Sequence, residues 1–281
     1  MYTTIVDPRS LHEHLNDPAW VVIDCRNDLT HPDAGERAYA LGHIPGAFHA
    51  SLEGVLTGAK TGRNGRHPLP EPENFMRFLR QAGVDDQTQL VVYDDGGDMY
   101  AARLWFMARW VGHDAAALLD GGYAAWTDAG YSVSREAATP RGTTTPGVLL
   151  VRRETTTEAG EILAALGTPH LLMLDARSPD RFAGQNESID PVAGHIPGAH
   201  NRFFKENFDE RGRMKPPEQL RAEFVAAGVA APERVVHQCG SGISACVNLL
   251  AMEHAGLAGS RLYPGSWSEW ISDPSRPVMR E

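Results

Sequence analysis

The chain has 281 residues, 42% of them hydrophobic and 22% charged, the balance of a soluble globular protein with room for two cores of ordinary size. Its 36 acidic and 26 basic residues give a formal net charge of −10, which argues against nucleic acid or an anionic membrane as partner, since both recruit basic surfaces. No window approaches the roughly 18 apolar residues of a membrane span, and Met1-Tyr-Thr-Thr-Ile-Val-Asp-Pro8 lacks the basic-then-apolar order of a secretion signal, so with only three cysteines a reducing, cytoplasmic setting is expected.

In chain order, the strand Val21-Val-Ile-Asp24 closes on Asp24-Cys-Arg26 and is followed by the turn Gly42-His-Ile-Pro-Gly-Ala47. The spacing of Phe75, Phe78 and Leu79 predicts a helix from Pro72 to Gly83, then a strand from Leu90 to Tyr93 ending in Asp94-Asp95-Gly. An apolar helix running to Gly112 and the block Leu118-Leu-Asp-Gly-Gly-Tyr-Ala-Ala-Trp126 complete the half. Ala137 to Gly147 has no apolar period and reads as linker.

The same order then recurs. Leu172-Met-Leu-Asp175-Ala-Arg177 repeats the first strand, and Gly194-His-Ile-Pro-Gly-Ala199 repeats the turn letter for letter. A helix from Pro217 to Gly228 with Leu220 and Phe224 on one face precedes Arg234-Val-Val-His-Gln-Cys239-Gly, an apolar helix to Gly256, and Leu262-Tyr-Pro-Gly-Ser-Trp-Ser-Glu-Trp270. Four blocks written twice in one order imply a duplicated unit. The alternation of short β-branched strands with amphipathic helices places both copies in the α/β class, each a parallel sheet flanked by helices. The expected boundaries are 1–136 for the first domain, 137–152 for the linker and 153–281 for the second domain.

Duplication permits a subtraction: what both halves share belongs to the fold, and what one half lacks is a candidate for function. His43 and His195 lie in the shared turn and read as packed turn residues, and Trp267 and Trp270 read as core because Tyr123 and Trp126 repeat them. Cys239 occurs once, with Asp95 in its place in the first half. It stands where a strand gives way to Gly240-Ser241-Gly242-Ile243-Ser244 and a helix begins at Ala245. Backbone N–H groups and the positive end of a helix converge at such a junction and favour a thiolate, the nucleophilic form of cysteine.

Several chemistries use a loop of this kind. Dinucleotide binding wants an acidic residue about 20 positions on, and Leu262-Tyr-Pro-Gly supplies none. A cysteine phosphatase wants an arginine six positions after the cysteine, where this chain has Ala245. His237 and Cys239 alone make a weak zinc pair, so no metal and no cofactor is expected. A buried structural cysteine is the remaining bland reading.

Asp-x-Arg, Gly-His-Ile-Pro-Gly, strand-Cys-loop-helix and Gly-Ser-Trp-x-Glu-Trp, written twice with the cysteine only in the second copy, resemble the tandem-domain rhodanese-type sulfurtransferases over nearly the whole chain. Cys239-Gly-Ser-Gly-Ile-Ser-Ala245 is similar to the loop of the 3-mercaptopyruvate sulfurtransferases, whereas thiosulfate-type members typically place Arg-Lys after the cysteine. The resemblance implies two rhodanese-like domains, the first inactive, and a Cys239 persulfide formed from a small anionic sulfur donor. A thiol, cyanide or thioredoxin-like acceptor would then discharge it. It implies that the loop from Gly240 to Ala245 cradles the sulfur and that Arg181 binds the donor carboxylate. Ser241, His67 and Glu53 would form a proton relay, and Arg103 would either serve the donor site or pin the domains. Two departures stand out. The family's second arginine is absent from Gln185-Asn-Glu-Ser-Ile-Asp-Pro191, and no carboxylate occurs from Gly54 to Arg66, so Glu53 takes the relay acid's place by proximity alone. The expected donor is 3-mercaptopyruvate; thiosulfate:cyanide transfer and a persulfide-carrying relay protein are the alternatives.

Overall fold

The structure, a computed structural model, describes residues 1–95, 97, 99–142 and 150–280. Residues 143–149 of the expected linker lie outside the described residues. The chain forms two compact units, one of Met1–Gly58, Pro70–Arg152 and Glu210–Met214, the other of Ala59–Leu69, Arg153–Asp209 and Lys215–Glu281. Two short segments thus depart from a contiguous division. In the first unit Met214 N–H donates to Asp120 Oδ1 at 2.9 Å; in the second, Arg66 N–H donates to Ser268 Oγ at 3.0 Å.

The first unit holds β1 (Ile5–Val6), α1 (Pro8–Glu13), β2 (Trp20–Asp24), α2 (Ala34–Leu41), β3 (Phe48–His49), α3 (Pro72–Ala82), β4 (Gln89–Tyr93), α4 (Met99–Trp110), β5 (Ala116–Leu119) and α5 (Gly122–Asp128). Its sheet is parallel throughout, in the order β1-β5-β4-β2-β3. The second unit holds α6 (Ala159–Ala165), β6 (Leu172–Asp175), α7 (Pro179–Ala183), β7 (Ala199–Asn201), α8 (Pro217–Ala226), β8 (Val235–Gln238), α9 (Ala245–His254), β9 (Arg261–Leu262) and α10 (Ser266–Trp270). Its parallel order is β7-β6-β8-β9.

Helices cover such sheets on both faces, so the inner strands are buried along their length, as β4 and β8 are. Val22, Val91, Ala117 and Trp126 share one core; Met173, Val236, Trp267 and Trp270 share the other. The strand of the cysteine runs on to Gln238, two residues past the β-branched pair Val235-Val236.

The repeated blocks meet one another inside each unit. Arg177 grips Asp175 with Nε at 3.1 Å and Nη2 at 2.6 Å, and the same Nη2 donates to Gly194 O at 2.8 Å. Its guanidinium lies 4.9 Å from the centre of the Trp267 ring. Arg26 repeats this with Asp24 and Gly42 O, both at 2.6 Å, and lies 4.0 Å from the Tyr123 ring centre. One arginine thereby ties the strand end, the Gly-His-Ile-Pro turn and the last helix together. His43 and His195 complete the turn by packing: the first stacks on Tyr39 at 3.8 Å, the second on Phe182 at 3.9 Å.

Removing one partner of such a buried pair leaves the other charge uncompensated. Asp175→Ala should cost about 3–5 kcal/mol of stability, measured by urea denaturation; a loss below about 1 kcal/mol would contradict the role given to the pair.

Candidate active site

β8 delivers Cys239 to the carboxyl edge of its sheet, where parallel α/β folds place their sites. The side chain is buried, and Gly242 N–H donates to its sulfur at 3.1 Å. Gly242 has a φ of +77°, and a Cβ there would collide with the Pro264 carbonyl oxygen, so the turn that aims this amide requires glycine. Cys246 Sγ, on the second residue of α9, donates to Gly242 O at 3.3 Å. Ile243 and Ala245 are buried, and Ser244 forms the N-cap of α9 without a side-chain capping bond.

The last helix holds the loop from behind. Trp267 N–H donates to Cys239 O at 3.0 Å, Ser268 N–H to Gly240 O at 2.9 Å, and Cys239 N–H to Ser266 Oγ at 3.1 Å. Ser266 Oγ itself donates to Tyr263 O at 2.9 Å. Among the described residues Ser266 is the one non-glycine residue with positive φ, at +52°. Gly122, its counterpart in the first unit, has a φ of +59°. The turn therefore belongs to the fold, and the serine accepts a left-handed conformation that disfavours side chains by about 1–2 kcal/mol in order to hold the cysteine's backbone.

Residues 59–69 bring further groups to the loop. Gly65, with φ at +82°, passes so close to Gly265 that a Cβ would lie 2.6 Å from its carbonyl oxygen. Beyond it, His67 Nδ1 lies 2.7 Å from Ser241 Oγ, both side chains buried. Arg66 and Arg181 converge on Gly240, where a Cβ would meet Arg66 Nη2 at 2.8 Å and Arg181 Nη2 at 3.5 Å. The loop is bare at Gly240 because two guanidiniums occupy the space a side chain would take.

Carboxylates position those guanidiniums. Arg181 Nη2 donates to Glu187 Oε1 at 2.9 Å and to Asp190 Oδ2 at 3.2 Å, and Arg66 Nη1 pairs with Asp190 Oδ1. Burial opposes ionisation of Glu187, but hydrogen bonds from Arg181 and the N–H groups of Asp190 and Ile189 hold its carboxyl below the ordinary value. Burial pushes the Asp190 carboxyl up, against the pull of Arg66. His237 is fully buried, which lowers its pKa to about 3 and keeps it neutral; its Nε2 lies 3.1 Å from Ser260 Oγ. Among the described residues no group of three or more His, Cys, Asp or Glu is placed to hold a metal ion, and none of their helices is long and apolar enough to cross a membrane.

The rhodanese-like domain family matches residues 7–129 and again 158–273. A Pseudomonas aeruginosa protein named "Probable 3-mercaptopyruvate sulfurtransferase" is 43% identical over 98% of this chain and 97% of its own length. A Mycobacterium tuberculosis relative, provisionally named a thiosulfate sulfurtransferase, is 37% identical over 92% of this chain and 90% of its own. Among solved structures, the 3-mercaptopyruvate sulfurtransferase SseA of Escherichia coli superposes with a TM-score of 0.82 at 30% identity, covering 95% of this chain and 99% of that one.

The chain belongs to the rhodanese-like family.

Of its two rhodanese-like units, the first carries an anion of its own at the loop that corresponds to the cysteine loop. Asp94 Oδ2 accepts the N–H groups of Tyr100 at 3.0 Å and Ala101 at 3.2 Å, capping α4, and Asp95, opposite Cys239 in the repeat, is exposed. Glu53 and Arg103 also belong to this unit. Glu53 is exposed in the turn Leu52–Leu56. Arg103 is fully buried in α4, with Nη2 directed at Leu56 O, 3.5 Å away.

Cys239, Ser241, His67 and Arg181 thus come together in the second rhodanese-like unit. Sequence reasoning gave no role to Arg66, Glu187, Asp190 or Ser266. The signal for Ser266 was present in the repeat, where a serine stands opposite Gly122 in a turn that prefers glycine.

Ser266→Ala keeps the strained backbone and removes the acceptor of Cys239 N–H, leaving a buried donor unpaired. A loss of about 1–3 kcal/mol is expected in thermal or urea denaturation; unchanged stability would show that another group accepts that proton.

Proposed function

We propose that this protein is a sulfurtransferase that takes sulfur from 3-mercaptopyruvate onto Cys239 and passes it to a thiophilic acceptor. The Cys239 thiolate attacks the thiol sulfur of the donor; the new S–S bond forms as the donor's C–S bond breaks. Cys239 leaves this step as a persulfide anion, and the departing fragment is the enolate of pyruvate. Its carbon then takes up a proton in place of the one the donor thiol gave up. In the second step a thiolate or cyanide attacks the outer sulfur, carries it away and restores the thiolate. The fixed N–H of Gly242 is suited to the negative sulfur in both states.

The observation that carries this reading is the 2.7 Å approach of His67 Nδ1 to Ser241 Oγ, two residues from Cys239. An enolate leaving group needs a proton, and a buried hydroxyl joined to an imidazole can deliver one. Thiosulfate leaves sulfite behind and needs no such step. Arg181 is the proposed partner of the donor carboxylate, since a planar guanidinium matches that group. The proposed acceptors are a small thiol, cyanide or a thioredoxin-like protein. Three cysteines among 281 residues suit the reducing, cytoplasmic setting proposed for the protein.

Steady-state turnover of 3-mercaptopyruvate and thiosulfate, measured in parallel, tests the assignment. Cys239→Ser should abolish both. Ser241→Ala and His67→Ala should lower kcat with 3-mercaptopyruvate by about 10²–10⁴ while changing thiosulfate turnover far less. A higher kcat/KM for thiosulfate in the unaltered enzyme would overturn the donor, and no turnover with either would favour a sulfur-relay protein.

A further inference from the structure

The second unit brings three arginines and three carboxylates into one chain of contacts. Asp175 holds Arg177, and Arg177 Nη1 reaches Glu187 Oε2 at 3.5 Å. Glu187 holds Arg181, Arg181 reaches Asp190, and Asp190 holds Arg66. Formal charges balance along this row. The last two guanidiniums, of Arg181 and Arg66, do not spend all their donors on it. Arg66 uses Nη1 on Asp190, and Arg181 uses Nε and Nη2 on Glu187 and Asp190. Arg66 Nη2 and Arg181 Nη1 lie beside Gly240, at 2.8 and 3.7 Å from where its Cβ would stand. Among the described residues neither nitrogen donates a hydrogen bond.

Two donors from different segments, side by side at the residue next to Cys239, suit a small planar anion. We propose that Arg66 is a second binding residue for the donor carboxylate, paired with Arg181 across Gly240 and aimed by Asp190. The proposal rests on the reading that Cys239 receives an anionic sulfur donor. It assigns the segment 59–69 two tasks, since Arg66 meets the carboxylate while its neighbour His67 joins the hydroxyl of Ser241. Asp190 binds no donor. It is a positioning residue, whose nearly inaccessible carboxylate bridges both guanidiniums.

The test compares the full-length enzyme with Arg66→Ala, Arg66→Lys and the double variant Arg66→Ala/Asp190→Asn. The double variant has the net charge of the unaltered protein and leaves no buried carboxylate unpaired, so it separates contact with the donor from charge balance and folding. Two readouts are taken. One is KM and kcat for 3-mercaptopyruvate. The other needs no turnover: the rate at which Cys239 is alkylated by iodoacetate relative to neutral iodoacetamide, followed on its peptide by mass spectrometry. Expected is a rise in KM of about tenfold or more for Arg66→Ala with kcat little changed, a fall in the iodoacetate preference, and the same two effects in the double variant. Arg66→Lys should recover part of both. Restoration of both readouts by Asp190→Asn would overturn the proposal, because Arg66 would then serve only to neutralise Asp190. If the unaltered enzyme fails to turn over 3-mercaptopyruvate, the donor assignment fails, and the alkylation ratio still decides the role of Arg66.

Discussion

Arg177 is almost fully buried, and a buried cation persists only where carboxylates and carbonyls surround it. Its partners fix three parts of the second unit at once: Asp175 at the end of β6, Gly194 in the Gly-His-Ile-Pro turn, and Trp267 beneath its guanidinium. Trp267 then holds the carbonyl of Cys239, and Glu187 carries the same guanidinium's influence to Arg181. Cys239 and Arg181 are therefore both anchored on one ion pair. A low-dielectric setting makes such a pair costly to break and sharp in geometry, which suits a site that must hold an amide against the sulfur of Cys239 and two guanidiniums beside Gly240.

The first unit is built on the same frame without the chemistry. Arg26 repeats the grip on Asp24, Gly42 and the ring of Tyr123. Where the second unit turns the Gly242 N–H to the sulfur of Cys239, the first satisfies helix N–H groups with its own Asp94. An acidic side chain at a helix start is stabilising in itself, so the duplicate loop can lose its reactive sulfur and keep its fold. The matched turn at Gly122 and Ser266 makes the same contrast from the other direction. Glycine fills it at little strain, and serine fills it where a hydroxyl is needed behind the cysteine.

Much of this was legible in the letters. The doubled blocks give two parallel α/β units because their contacts are with each other, so the sequence had to write Asp-x-Arg and Gly-His-Ile-Pro-Gly twice to build them twice. Cys239 stands out by subtraction, and the partnership of Ser241 with His67 follows from the resemblance. What escaped was the route of the chain. Residues 59–69 stand in the first half of the sequence but belong to the second compact unit, and no local pattern announces that; the glycine that permits it, Gly65, looks like any other loop glycine. Arg66 was hidden for the same reason, and the run Gln185 to Pro191, conspicuous for lacking an arginine, instead supplies the carboxylates Glu187 and Asp190 that aim Arg66 and Arg181.

A sulfur atom resting on Cys239 between donor and acceptor is read directly by mass spectrometry of the peptide that carries it. After brief exposure to 3-mercaptopyruvate, the peptide containing Cys239 should gain the mass of one sulfur atom and lose it again on addition of cyanide. The Cys239→Ser protein should gain nothing at either remaining cysteine. Release of pyruvate with no sulfur on Cys239, or a sulfur found on Cys246 instead, would contradict the account.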